Sequence, residues 1–317
     1  MSFRFAPLAA AVAGVSLIVA GAIHAADWPE WAYSPGIPVG VQDAVVLKQI
    51  PGSAKQFTAA QIEDDFNPPD WFPGDHPPMP QVVAHGRQPA VRACAKCHVS
   101  NGAGHPESSH LAGLPIAYFQ SQMADFKNGN RKGARAGSML PMAKAMTDEE
   151  VLVAAQYFAA LPVPKAWTKV VETDMAPKTR FRAGAMRFAV DDGSTEPMGN
   201  RIIELPQDPA RAALRDTRVG FVAYVPKGAI TRGEALVTTG GDGKTTACGA
   251  CHGANLKGDG DIPHLVGWSP TYMFRQLNDV KEGTRSGPTA EAMKAVVANL
   301  SQDDMIAIAA YLGSREP

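Results

Sequence analysis

The residues with the most specific chemistry in this sequence are its four cysteines. They stand in two pairs, each with two residues between its members, and a histidine follows each pair directly. Four cysteines alone would suggest two disulfides, but this spacing is the pattern for covalent attachment of haem. The thiols would bond the porphyrin, and the histidine would ligate its iron. The predicted attachment residues are Cys94, Cys97 and His98 in the first motif and Cys248, Cys251 and His252 in the second.

A Cys-x-x-Cys pair can also bind zinc or carry out thiol redox exchange. Neither use explains a histidine directly after the second cysteine, and here one follows both pairs. We therefore expect two covalently bound haem c groups.

The two motifs belong to a repeat that extends well beyond them. A shift of 154 residues superposes the motifs, and the match continues on both sides without a gap. Such self-similarity indicates a duplicated domain. Matched pairs after the motif include His110 with His264, Tyr118 with Tyr272, Gln122 with Gln276, Asp125 with Asp279, Arg131 with Arg285, Met139 with Met293 and Tyr157 with Tyr311.

The second axial position of each iron decides what the haem can do. Methionine there favours electron transfer, whereas an open position permits ligand binding. Met139 and Met293 are the methionines that coincide under the repeat, and we predict that they fill it; Met142 is the rival in the first copy. His110 and His264 also coincide, so a bis-histidine scheme is an alternative. Their closeness to the motifs favours a supporting or surface role.

Helix signals fall at matching places in both copies, as a shared fold requires. Proline opens and glycine closes one helix in each copy, and a capping box precedes the last helix. The fold class predicted is mainly α, with two helical haem domains in tandem and a partly irregular connector between them. The signals are Pro115 to Gly129 with Ser269 to Gly283, Thr147 to Glu150 with Ser301 to Asp304, and short helices near Gln81–Ala84 and Arg232–Thr238.

The rest of the chain divides into three segments. Residues 1–25 are typical of a cleaved secretory signal, with an uncleaved membrane anchor as the alternative. Residues 26–79 form a Trp- and Pro-rich wrap that we expect to bury aromatic surface on the first haem domain, 80–163. Residues 164–228 connect it to the second, 229–317, and contain two strand-like stretches, Arg201–Leu205 and Val219–Val225.

Net charge excludes one class of function. The formal charge is −1, whereas a nucleic-acid binder is usually distinctly basic. Basic residues do surround the first motif, where they would steer an acidic redox partner or simply form a solvated face. They are Lys96, Lys127, Arg131, Lys132, Arg135 and Lys144.

The chain resembles bacterial diheme cytochromes c made of two fused class I cytochrome c domains. The resemblance rests on Cys-Ala-Lys-Cys-His, Cys-Gly-Ala-Cys-His, the Pro263–Gly267 segment and the methionine before each final helix. It covers about 80–163 and 229–317 and leaves the wrap and connector outside. It implies that the Pro263 carbonyl orients the haem histidine. The first copy departs from the pattern because Ser109 stands at that place.

The function expected is that of a periplasmic single-electron carrier, not an enzyme, working with redox partner proteins. It would carry electrons between a dehydrogenase or quinol-oxidising complex and a terminal acceptor. One alternative is a cytochrome subunit of a dehydrogenase, associated with that enzyme or with a membrane-bound respiratory complex. The other is a diheme redox enzyme such as a peroxidase or a thiosulfate-oxidising cytochrome.

Overall fold

The computed structural model describes Met1 and residues 28–33, 43–133, 135–182 and 186–317. The predicted signal segment, 1–25, lies outside the described residues apart from Met1. Within the described ranges, none of the helices is both long and apolar enough to cross a bilayer.

A short N-terminal unit precedes the first repeat. It consists of a two-stranded ribbon and one helical turn, and the helix begins with a complete capping box between Thr58 and Gln61. Its elements are β1 (Leu47–Lys48), β2 (Phe57–Thr58) and α1 (Ala59–Ile62).

The first repeat is helical, as predicted. The main helix follows Pro115 and ends at Gly129, whose φ of 75° is the left-handed conformation that glycine adopts most readily. The last helix starts at the predicted capping box, where the Thr147 hydroxyl accepts from the Glu150 amide. The elements are α2 (Gln81–Ala84), α3 (Cys94–His98), α4 (Ile116–Asn128), a 3-10 turn (Ala136–Ser138), α5 (Met139–Ala145) and α6 (Asp148–Ala159).

The connector is a folded β unit rather than an irregular linker. Three strands form a sheet of order β3-β9-β8, in which β3 runs parallel and β8 antiparallel to β9. Two small antiparallel pairs, β4 with β7 and β5 with β6, complete it. The elements are β3 (Thr168–Glu172), β4 (Met175–Pro177), β5 (Thr179–Phe181), β6 (Arg187–Ala189), β7 (Thr195–Pro197), β8 (Ile203–Pro206), α7 (Pro209–Ala213) and β9 (Phe221–Val225).

The mainly-α prediction therefore describes the two repeats but not the connector. Both stretches with strand-like patterns contain strands, β8 and β9. In β9 the residues alternate between buried and half-buried, because one face packs on the protein interior. The sequence pattern predicted these two strands, whereas β4 to β7 have three residues each, too few to show a period; β3 was missed although it is as long as β9.

The second repeat reproduces the first. Ser269 caps its main helix by accepting from the Tyr272 amide, and Ser301 forms the second capping box with Asp304. The last helix packs against both the first and the main helix. The elements are α8 (Ala229–Thr239), α9 (Gly249–His252), α10 (Pro270–Lys281), α11 (Pro288–Val297) and α12 (Gln302–Ser314).

The two repeats meet through equivalent residues. Each presents an arginine whose guanidinium donates to a tyrosine and a glutamine of the other repeat, and the backbones of Arg131 and Arg285 form a bridge. This arrangement has pseudo-twofold symmetry, as in a dimer of identical subunits. The pairs are Arg131 with Tyr272 and Gln276, and Arg285 with Tyr118 and Gln122, all at 2.8 Å.

The N-terminal segment does not wrap the first repeat alone, which corrects the expectation above. Trp31 packs on Phe274 of the second repeat at 4.5 Å between ring centroids. Trp71 donates its indole N–H to the Leu214 carbonyl in the connector at 2.7 Å. Trp71 is buried and Trp31 is half-buried, and the partners of both lie far away in sequence.

Candidate haem sites

The first attachment motif forms a single helical turn, α3. This turn carries both cysteines and ends on His98, so thiols and imidazole project from adjacent positions of one short element. His98 Nδ1 lies 2.8 Å from the Ser109 carbonyl oxygen. A carbonyl only accepts, so Nδ1 carries the proton, and the Nε2 lone pair is free to ligate a metal.

The second motif repeats this geometry on α9. His252 Nδ1 lies 2.8 Å from the Pro263 carbonyl oxygen, which is the contact that the resemblance implied. Ser109 makes the same contact in the first copy, because the acceptor is a backbone carbonyl and does not depend on the side chain. The departure at Ser109 therefore leaves the histidine hydrogen bond intact.

Burial keeps both motif histidines in the state that metal binding needs. It lowers the pKa of His98 and of His252, which disfavours the imidazolium form. Burial also raises the pKa of the Cys94 thiol to about 12 and that of Cys248 to about 11. Thiols with such pKa values are poor participants in disulfide exchange, and all four cysteines are free.

A cavity of about 520 Å³ opens beside the first motif. This volume suits a cofactor, and both motif cysteines and His98 line it. Apolar side chains could pack on a porphyrin, and arginines could pair with its carboxylates. The lining includes Leu111, Leu114, Phe119, Met123 and Phe126 from the first repeat, Arg131 and Arg135 near its end, and Tyr272, Arg275 and Gln276 from the second. These residues fit a haem.

Two of the predicted methionines line this cavity together. Met139 stands at the start of α5 and is half-buried, whereas Met142, one turn later, is 8% exposed. Both candidates for the second axial position therefore line the same cavity. In the second repeat Met293 lies within α11, half-buried against the core.

His110 and His264 contact each other where the two repeats meet. Their ring centroids are 5.6 Å apart, and Trp268 lies within 5.6 Å of both. Burial lowers the pKa of His110 to about 3 and that of His264 to about 4. The structure thus gives this matched pair a place in the interface between repeats rather than on the protein surface.

The connector supplies a residue to the first site that the sequence did not single out. Arg215 donates to the Lys96 carbonyl at 2.7 Å, to the Ile62 carbonyl at 3.1 Å and to Glu63 at 2.9 Å. Lys96 is itself buried and pairs with Glu63 at 2.9 Å. No local pattern marked Arg215, because its partners lie in two other segments.

The basic residues near the first motif do not form one solvated face. Lys96 is buried, Arg131 holds the second repeat, and Arg135 pairs with Glu107 at 3.6 Å. Three members of the predicted group therefore serve contacts within the protein. Only the other three residues of the group would then be left to form a basic patch that steers an acidic partner to this site.

Comparison with known proteins adds three findings. The family model for cytochrome c matches residues 230–316. The thiosulfate dehydrogenase electron acceptor of Stutzerimonas stutzeri (strain A1501) is 29% identical over 232 residues, which cover 72% of this chain and 82% of that protein. Cytochrome c-554(548) of Halomonas halodenitrificans is 38% identical over 77 residues, 24% of this chain and 93% of that protein.

Among solved structures, thiosulfate dehydrogenase TsdBA from Marichromatium purpuratum aligns with a TM-score of 0.48 at 25% identity. The alignment covers 73% of this chain and 38% of that one. The prediction of an electron-transfer protein and not an enzyme is wrong as it stands. The Stutzerimonas relative is named as the electron acceptor of a dehydrogenase, so this similarity points to an enzyme system.

Proposed function

The chain belongs to the cytochrome c family, among its bacterial diheme members, and on that premise we propose that it accepts electrons from a dehydrogenase in the periplasm. Bound haem supplies an iron that takes up and releases one electron at a time. The chain attaches the cofactor, supplies the axial ligands and keeps both motif imidazoles neutral.

The proposal includes one haem c in each repeat, within domains 80–163 and 229–317. Cys94 and Cys97 attach the first group, and His98 with Met139 ligates its iron. The second site uses the equivalent residues, which are Cys248, Cys251, His252 and Met293. The observation that carries this proposal is the pair of 2.8 Å contacts that turn Nδ1 of each motif histidine toward a backbone carbonyl.

The partner proposed is thiosulfate dehydrogenase. The support is the name of the Stutzerimonas relative, which covers most of both chains. Export rests on residues 1–25, whose apolar stretch and small residues are typical of a secretory signal. From the dehydrogenase, electrons would pass on to a terminal acceptor.

The haem assignment is tested by the mass of the protein matured in a host that attaches haem c. We expect two covalently bound groups in the wild type, and one in each of the variants Cys97→Ser/His98→Ala and Cys251→Ser/His252→Ala. Loss of both groups from either variant, or of neither, contradicts independent sites.

The partner assignment is tested with purified thiosulfate dehydrogenase and thiosulfate. We expect the oxidised wild-type protein to be reduced by two electrons per chain, and the variant that retains only the second haem by one. If the protein carries two haems but stays oxidised under these conditions, the partner assignment is wrong, and the haem assignment is unaffected.

A further inference from the structure

In each repeat, the end of the haem-attachment motif and the loop after it form one edge, residues 96–108 in the first repeat and 250–262 in the second. The two edges differ in how far other parts of the protein cover them. Lys96 in the first motif is 6% exposed, whereas its equivalent Ala250 is exposed to solvent; Cys97 is half-buried, whereas Cys251 is exposed. The contrast continues along the loop after the motif. Residues 99–108 are buried or half-buried, whereas most of residues 253–262 are exposed.

Loop shape does not cause this difference. In the first repeat His105 and Ser108 form a tight backbone turn, with N···O distances of 3.3 and 2.8 Å. Their equivalents Asp259 and Ile262 form the same turn, at 3.1 and 2.9 Å. The two edges thus have one backbone conformation, and what covers them differs.

The connector is the main cover of the first edge. The Thr217 carbonyl accepts from Asn101 Nδ2 at 2.9 Å, and Arg215 donates to the Lys96 carbonyl. Trp167 and Phe221 pack on Val99 and Ala103 in one apolar cluster. Further along the loop, Arg275 of the second repeat donates to the Pro106 carbonyl.

Most of the second edge, residues 250–262, is exposed to solvent. We call it the open edge. Small or apolar residues are exposed on it, and Ile262 is exposed to 38%. The same segment carries two exposed acidic residues, Asp259 and Asp261, while the Lys257 ammonium donates to the Pro317 oxygen at 2.9 Å. Exposed apolar residues with carboxylates among them suit a protein whose matching surface is basic.

We propose that the dehydrogenase docks on the open edge through a basic rim, so that electrons enter this protein at the second repeat. This inference rests on the proposed function, because that function supplies the partner. The first edge is covered by the connector, so its contacts are with other parts of the same chain. The first repeat would then exchange electrons with this partner by way of the second.

The test compares two pairs of exposed acids in the haem-loaded protein. Asp259→Asn/Asp261→Asn neutralises the open edge. Asp148→Asn/Glu149→Gln is the matched control, since it removes the same charge from the exposed start of α6 in the first repeat. Stopped-flow reduction is followed with two probes, hexaammineruthenium(II) and thiosulfate dehydrogenase supplied with thiosulfate.

We expect the open-edge variant to react about tenfold more slowly than wild type with both probes at low ionic strength. The deficit should shrink above roughly 0.1 M salt, where the Debye length falls below about 10 Å. The control variant should match wild type. Ile262→Ser should slow the dehydrogenase and leave the ruthenium rate unchanged, because only a protein probe buries Ile262.

Equal rates for the two double variants with the dehydrogenase overturn the docking site. If the dehydrogenase fails to reduce even the wild type, the proposed partner is wrong, and the ruthenium probe alone decides whether electrons enter at the open edge. Equal ruthenium rates for the two double variants then overturn that inference as well.

Discussion

At the scale of single residues, a backbone carbonyl determines which imidazole nitrogen can ligate iron. In both His98 and His252 the Nδ1–H donates to a backbone carbonyl oxygen 2.8 Å away, and this hydrogen bond fixes the tautomer and the orientation of the ring. A serine and a proline serve equally well there because each contributes only its carbonyl. The methionine proposed as the second axial ligand differs in this respect, since its role would depend on a side chain.

Replacing Met139 with leucine should remove the low-spin spectrum of His–Met ligation from one haem, because leucine keeps the packing but cannot ligate iron. Met142→Leu is the matched control, and it should retain that spectrum at both haems. Absorption and electron paramagnetic resonance spectra of the oxidised proteins measure this. Loss of the signal in Met142→Leu alone would reverse the assignment.

The buried histidine pair predicts a dependence of stability on pH. His110 and His264 have pKa values near 3 and 4 in the folded protein, against about 6.5 in the unfolded chain. Between these limits the unfolded chain binds protons that the native protein does not. Each histidine should therefore lower the free energy of unfolding by about 1.4 kcal/mol per pH unit as pH falls from about 6 to about 4.

Urea unfolding at several pH values measures this slope. His110→Phe should make the slope shallower and keep an aromatic ring against Trp268. The exposed His85 provides the control, and His85→Gln should leave the slope as it is. An unchanged slope in His110→Phe would show that the interface admits the charged imidazole.

At the scale of elements, local signals predicted where α4, α6, α10 and α12 begin. α6 and α12 begin after Thr147 and Ser301. Each of these residues exchanges hydrogen bonds with the residue three positions later, Glu150 or Asp304. Glu150 also accepts from Arg87 at 2.8 Å, so the first box ties α6 to the loop after α2. Such caps can be read from four adjacent residues, since every partner is local.

Thr147→Ala should lower the free energy of unfolding by about 1 kcal/mol, because the Glu150 amide loses its acceptor. Thr147→Asp should restore most of it, as a carboxylate can accept the same bond. Urea denaturation of the haem-loaded protein measures both variants. A full loss in Thr147→Asp would mean that the threonine contributes packing rather than capping.

At the scale of the whole molecule, the two repeats contact each other through equivalent residues. Gly133 faces the Asp279 carboxylate, and its equivalent Gly287 faces the Asp125 carboxylate, so that a Cβ at either glycine would overlap an oxygen. Tyr33 donates to Asp279 at 2.9 Å, which holds that carboxylate in place. Glycine is needed here for the close approach of the two repeats.

Gly133→Ala should therefore lower the free energy of unfolding by about 1–3 kcal/mol through overpacking. Gly287→Ala should have a similar effect from the other side of the interface. Gly137→Ala is the control, because a Cβ there meets no atom within 4 Å, and it should be neutral or slightly stabilising. Thermal unfolding of the three variants checks this, and equal midpoints would mean that Asp279 and Asp125 can move aside.

The sequence by itself determined the haem-attachment motifs, the duplication and the starts of α4, α6, α10 and α12, because each of these depends on residues a few positions apart or on a match between copies. Tertiary structure decided which edge is covered: Arg215 reaches Lys96 across 119 residues, and Trp31 packs on Phe274. It also placed both Met139 and Met142 at the cavity beside the first motif, which their spacing in the sequence does not show. Contacts between distant segments depend on how the chain packs, and no short pattern encodes them.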